Sequence, residues 1–280
     1  MSAVAILGAG PLGGAVAHAL ADHGLASRVL IVDPAGQIAA GKALDILQAG
    51  AITGTATQVH GTTDMDQAIG CDVCVVADRS TPGGEWQHES VETIARLARS
   101  VGAAPLVFAG ASQTALMRVL AVESGINPRR LVGSASEALT AAIRAVVAME
   151  LGCSAPEVSL SVLGCPPAGV VVPWMEASVG GYGLEKVMSQ AQLARVDARV
   201  PRLWPPGPYT LGLAAADVVG AMLRASRRPR SVLSVLDGEF GARQRVGAIP
   251  AFLGPSGILR TKVPTLNTRE RVQVETALGI

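Results

Sequence analysis

Residues 4–20 read Val-Ala-Ile-Leu-Gly-Ala-Gly-Pro-Leu-Gly-Gly-Ala-Val-Ala-His-Ala-Leu, VAILGAGPLGGAVAHAL. Val4 to Leu7 is an apolar run suited to a buried strand. Gly8-Ala9-Gly10-Pro11-Leu12-Gly13 is a G-x-G-x-x-G turn, and Leu12 to His23 follows with a helical pattern. Each position has a physical task. Gly8 permits the tight turn, Gly10 lets the backbone approach a pyrophosphate, and Gly13 lets helix and strand pack closely. The helix start offers free N–H groups and a partial positive charge to phosphates. Pro11 is tolerated there because its missing N–H would have no intrahelical partner. A second apolar run, Val29 onward, ends in Asp33, 20 residues after Gly13. A carboxylate at that place accepts hydrogen bonds from a ribose 2′-hydroxyl and repels a 2′-phosphate. The pattern predicts a dinucleotide site that takes NAD rather than NADP.

Working outward, strand and helix alternate through the first half. Lys42 to Ala49 is helical, Val73 to Ala77 a strand, Glu89 to Ser100 an amphipathic helix, and Leu106 to Ala109 a strand. Thr114 to Glu123 is helical and Arg130 to Val132 short and extended. This rhythm predicts a doubly wound parallel sheet of the Rossmann type. The second half changes character. A long Ala-rich helix, Glu137 to Leu151, precedes a strand at Val158 to Leu163. Then come a helix at Tyr209 to Ala225, strands at Ser231 to Leu236 and Gln244 to Phe252, and a last helix at Thr268 to Leu278. The expected division is a nucleotide-binding domain at 1–133 and an α+β substrate-type lobe at 134–280.

Composition narrows the function classes. The 280 residues are 49% hydrophobic but only 3% aromatic, so the apolar content is aliphatic and suits helices on a buried sheet. A net charge of +1 points neither to nucleic acid nor to an acidic partner. The cluster Arg224, Arg227, Arg228 and Arg230 reads as a solvated turn after a helix. No run is apolar enough for a membrane span, and the N-terminus has no basic segment ahead of its apolar run. Cys71 and Cys74 form a C-x-x-C, but inside a buried strand pattern and with no second pair. They read as small hydrophobes rather than metal or redox ligands. No metal is expected, and the setting is a reducing cytoplasm.

Several stretches together resemble the NAD-dependent lactate/malate dehydrogenase family. Besides the opening turn, GKALDILQAG (Gly41 to Gly50) is similar to the family's GKALDLxxA helix. INPRRLVGSASEALTAAIR (Ile126 to Arg144) matches the spacing of FPxxRVIGxGTxLDSARFR. VSLSVLGCPPAGVVVPWMEASVGGYGL (Val158 to Leu184) matches VxxxVxGEHGDSMVPxWSxxxxGGxPL without a gap. VGAIPAFLGPSGILRTKVPTLNTRERVQVETAL (Val246 to Leu278) looks like the closing strands and last helix. The resemblance implies the Rossmann domain followed by the family's α+β lobe. It implies NAD as cofactor, held by Gly8, Gly10, Pro11, Leu12, Gly13, Asp33 and Ala77, and a homodimer or homotetramer.

That family's chemistry, as the resemblance implies it, uses a His as proton carrier and an Asp that orients it. One Arg clamps the substrate carboxylate, and further Arg residues lie on a closing loop. Carried over position by position, the His falls on Pro166, the orienting Asp on Leu139, the clamping Arg on Ala142 and the family's Asn on Gly110. The neighbours of the His fall on Cys165 and Ala168, and the loop's last Arg on Trp86. The replacement candidates are His88, just after the loop, and Arg79, within it. His18, His23 and His60 read as packing or surface residues, and Trp174 as packing. The expected function is an NAD(H)-binding relative with the ordinary 2-hydroxyacid reaction lost, serving as a sensor or partner subunit. An oxidoreductase acting on a less polar carbonyl or alcohol substrate, and a scaffold that binds no nucleotide, are the alternatives.

Overall fold

A computed structural model describes residues 2–280. The order of elements is β1 (Ala3–Leu7), α1 (Pro11–Asp22), β2 (Arg28–Val32), α2 (Gly36–Thr53), β3 (Gln58–Thr62), β4 (Val73–Val76), β5 (Asp78–Arg79), β6 (Gly84–Glu85), α3 (Val91–Ser100), β7 (Leu106–Phe108), α4 (Thr114–Val122) and β8 (Leu131–Gly133). The second half runs α5 (Ala135–Leu151), β9 (Val158–Ser159), β10 (Leu163–Cys165), β11 (Gly169–Val171), β12 (Ser178–Val179), β13 (Tyr182–Gly183), α6 (Leu184–Val187), α7 (Gln190–Asp197), α8 (Pro208–Leu223), β14 (Arg230–Asp237), β15 (Arg243–Gly254), β16 (Gly257–Thr261) and α9 (Thr268–Leu278).

One sheet carries most of these strands, in the order β11-β10-β15-β14-β8-β7-β4-β1-β2-β3, with β16 added against β15. From β3 to β8 all pairings are parallel. Counting those six strands alone, the spatial order is 3-2-1-4-5-6, that of a doubly wound dinucleotide-binding sheet. Helices cover both faces, so β1, β4 and β7 are apolar along their lengths, as is β2 after its exposed first residue, Arg28. Ile6, Ile31, Val75 and Phe108 are each 0% exposed. Burying side chains of this size contributes about 1.5–3 kcal/mol each.

Local signals set the helix ends. Pro11 begins α1 at a position where no amide is needed. Gly54 and Gly152 end α2 and α5 in the left-handed region, at φ of 76° and 67°. Asn267 and Glu270 close a capping box on α9, whose predicted bounds the structure matches.

Three expectations change. Val158 to Leu163 is not one strand. β9 pairs with β12 in a small sheet, whereas β10 pairs with β11 and β15 in the large one. Val162 and Leu163 are buried in succession, which a straight strand with one inward face does not allow. The second half does not pair only within itself either: β14 joins β8 through Leu233 opposite Gly133. Residue 133 therefore marks the change from parallel to antiparallel pairing within one sheet. Finally, Gln58–Thr62 is a sixth early strand, on the sheet edge, where only Val59 of its five residues is buried.

Candidate functional site

The crevice of a doubly wound sheet lies where the strand order reverses, here between β1 and β4. Their register fixes what meets there. Leu7 is opposite Val76, so the turn after β1 and the residues after β4 leave the sheet side by side. Ala77 is fully buried, and its N–H donates to Leu7 O at 3.0 Å. The next residue, Asp78, lies over the Gly8–Gly13 turn.

Every amide of that turn already has an acceptor within the chain. Gly8 N–H donates to Val32 O at 2.7 Å, Ala9 N–H to Asp33 Oδ2 at 2.7 Å and Gly10 N–H to Asp78 O at 3.0 Å. Pro11 has none to give. Leu12 and Gly13, the free donors at the start of α1, donate to the two carboxylate oxygens of Asp78 at 3.1 and 2.8 Å. Gly14 N–H returns to Gly10 O at 3.0 Å, which also accepts from Lys42 Nζ at 2.8 Å. A Cβ on Gly10 would run into the Asp78 carboxylate, and one on Gly8 into its backbone. The backbone is thus shaped for the close approach of an anion, and the anion seated there is Asp78.

Asp33 is equally committed. It is 0% exposed, and its carboxylate accepts from Ala9 N–H, from Ala35 N–H at 2.9 Å, and from Ser80 N–H and Oγ at 3.1 and 2.6 Å. Burial pushes its carboxyl up, but Ser80 Oγ and the three amides outweigh this and hold the group below the usual value.

The same loop has a second anchor. β5 and β6 form a short hairpin with Asp78 opposite Glu85. The Glu85 carboxylate accepts from Ala111 N–H at 2.9 Å and Ser112 N–H at 2.7 Å, just before α4. A Cβ on Gly110 would run into that carboxylate. Gln113, 1% exposed, ties both ends of the loop: its Nε2 donates to Ala77 O and Trp86 O, both at 3.1 Å.

The other candidates do not converge on a reaction centre. Arg79 pairs with Glu89 at 2.9 Å and stacks over the Trp86 ring, 5.2 Å from its centre. His88 is exposed, as are His18, His23 and His60. Leu139 is fully buried in the core, and Pro166 is buried in the turn joining β10 to β11. Burial raises the thiols of Cys165, Cys74 and Cys71, the last to about 11, which leaves them protonated and poor nucleophiles at neutral pH. Trp174 packs against the core, with Nε1 donating to Asp197 at 3.2 Å. Among the described residues no group of three or more His, Cys, Asp or Glu gathers to hold a metal, and no helix is long and apolar enough to cross a membrane.

Sequence reasoning missed Asp78, Glu85 and Gln113. It also missed Glu137, on the rim of a cleft of about 1050 Å³ between α5 and α8 that includes Arg144, Asp217 and Arg230. Burial pushes its carboxyl up to about 7, although Ser231 N–H donates to it at 2.8 Å.

No protein-family model matches the chain. It is 29% identical to the malate dehydrogenase of Thermomicrobium roseum over 285 residues, covering 96% of this chain and 92% of that protein. It is 26% identical to the malate dehydrogenase of Salinibacter ruber over 293 residues, covering 99% and 93%. The solved Salinibacter ruber malate dehydrogenase superposes with a TM-score of 0.88 at 24% identity, over 99% of this chain and 94% of that one. A lactate dehydrogenase from Cryptosporidium parvum, solved with lactic acid and nicotinamide adenine dinucleotide, shares the fold with a TM-score of 0.89 at 20% identity, over 99% and 95%. The chain is similar to these malate dehydrogenases over nearly its whole length and shares the fold of the malate and lactate dehydrogenases.

Within that family's frame the arrangement can be tested for a dinucleotide. The glycines, the start of α1 and an acid after β2 suit one. The donors that would hold its pyrophosphate, however, are spent on Asp78, and Asp33 is closed off by Ser80. As arranged, the crevice does not admit the group.

Proposed function

We propose that this chain is a lactate/malate dehydrogenase relative that has lost the ordinary 2-hydroxyacid reaction, with NAD(H) as its nucleotide. One observation carries the loss: the family's proton carrier, its orienting acid and its carboxylate clamp fall on Pro166, Leu139 and Ala142. None of the three side chains can accept a proton or hold a carboxylate. Leu139 is also sealed in the core, so it offers no route for an orienting bond. A general base alone contributes about 10²–10⁴ in rate, and loss of the bidentate clamp compounds that by misplacing the substrate. Support for NAD(H) comes from the Gly8–Gly13 turn, from Asp33 ending β2, and from the family's malate dehydrogenases.

The role proposed is that of a nucleotide-responsive or partner subunit, in two domains at 1–133 and 134–280. Exposed apolar residues on α2, Leu44 at 56% and Ile52 at 89%, support association with further copies of the chain. The four free cysteines fit a cytoplasmic setting.

The test is NADH oxidation with oxaloacetate, pyruvate and longer 2-oxo acids, at enzyme concentrations high enough to follow a single turnover. The proposal expects no 2-oxo acid to raise the rate above the enzyme-free control by more than about tenfold. Turnover of about 1 s⁻¹ or faster, within the usual range for enzymes, would overturn it.

A further inference from the structure

We propose that the nucleotide crevice of this chain is held shut by its own loop, with the Asp78 carboxylate standing in for a pyrophosphate. NAD(H) then binds only by displacing residues 78–85. The inference rests on the reading that the crevice takes NAD(H).

The accounting of donors carries it. A buried amide must find an acceptor, and each amide from Gly8 to Gly14 has one inside the chain. The first-turn amides of α1 are the natural seat of a phosphate, because they are unpaired within the helix and lie at its positive end. Here both Asp78 oxygens take them, at 2.8 and 3.1 Å, and Asp78 is 7% exposed. A diphosphate and a carboxylate cannot share these donors. At such contact their like charges would also repel strongly in a site shielded from water. The ribose acceptor is withdrawn by the same movement, because Ser80 covers both oxygens of Asp33.

The closure is built rather than incidental. A second carboxylate, Glu85, seats on the amides of Ala111 and Ser112, in a space that exists because residue 110 is glycine. Gln113 fastens the two ends of the loop to each other. Asp78 and Glu85 stand opposite each other in the β5–β6 hairpin, so both seated carboxylates, and the space that Gly110 leaves for one of them, act on a single loop.

The closed loop is also incompletely satisfied. Arg79 Nε and Trp86 Nε1 are buried with no acceptor. The cradle beneath it has all its bonds, whereas the lid has not, so the lid is the part with something to gain by moving. For such a gate the apparent affinity is the intrinsic affinity reduced by the open fraction.

The experiment titrates NADH into the wild-type chain, Asp78→Gly and Asp78→Asn. It follows nicotinamide fluorescence and, separately, the shift in melting temperature, with NADPH as the control. Asp78→Gly empties the seat. Asp78→Asn keeps its shape, removes the charge and leaves one acceptor where two stood. Both should bind NADH with a Kd at least tenfold below wild type, and both should melt lower than wild type in the absence of ligand. Glu85→Gln loosens the other anchor without touching the turn, so it should lower the Kd in the same direction and covers the case in which a residue-78 variant fails to fold. Wild-type saturation with the same Kd as the variants, within twofold, would overturn the inference and leave the NAD(H) reading standing. Failure of wild type and all folded variants to bind millimolar NADH would sink both together.

Discussion

The Asp78 carboxylate occupies the place where a side chain on Gly10 would stand, and Gly10 N–H donates to the backbone oxygen of Asp78 at 3.0 Å. The two residues are 68 positions apart and meet because β1 and β4 are parallel neighbours in register. A glycine at position 10 allows close approach to the backbone, and in this chain the group that approaches belongs to the protein. One expectation follows from that loop, and another from a buried carboxylate on α5.

Gly110 and Glu85 should be energetically coupled. A methyl group on residue 110 displaces the Glu85 carboxylate, so Gly110→Ala should destabilise the chain by about 1–3 kcal/mol, as overpacking usually does. In a Glu85→Ala background the obstruction is gone, and the same substitution should cost at least about 1 kcal/mol less. Urea unfolding of the four chains of this cycle measures the difference. Additive effects within about 0.3 kcal/mol would contradict the contact.

Glu137 should make stability depend on pH. Burial raises its carboxyl from the usual 4.5 to about 7, and Arg230, Arg144 and Asp217 face it. The native state therefore holds a proton that the unfolded chain releases first. Its contribution is complete below about pH 4.5 and disappears as pH rises through about 7. A shift of this size is on the order of 3 kcal/mol. The melting temperature should fall between pH 5 and 8, and Glu137→Gln should flatten that fall. An unchanged slope in the variant would remove Glu137 as its source.

The sequence made the framework legible where local rules agree with tertiary packing. Val4 to Leu7, the glycine turn and Pro11 all demand a strand, a tight turn and a helix start, and the structure places them so. Asn267 and Glu270 likewise mark the start of α9. Gln58–Thr62 escaped notice because an edge strand with one buried residue carries little hydrophobic pattern. Val158 to Leu163 misled because one apolar run is shared between two sheets, a division that depends on distant partners. Within the site, the glycines and Asp33 were legible as a shape, but what fills that shape was not. Asp78 and Glu85 look like ordinary polar loop residues. Only the register of β1, β4 and β7 shows that the loop leaves the sheet directly beside two sets of amides for which its carboxylates are the acceptors. A carboxylate two residues beyond β4, at the strand end that faces the glycine turn, was the available signal.

The most direct measurement is amide hydrogen exchange at Leu12 and Gly13 in the ligand-free wild-type chain, read residue by residue by NMR. First-turn amides of an uncapped helix have no intrahelical acceptor and exchange freely. With Asp78 seated on them, both should be protected, to an extent comparable with Gly14, whose N–H bonds to Gly10 O within the chain. Exchange of Leu12 and Gly13 at the rate of an open helix start, with Gly14 still protected, would show that the seat is empty and contradict the account.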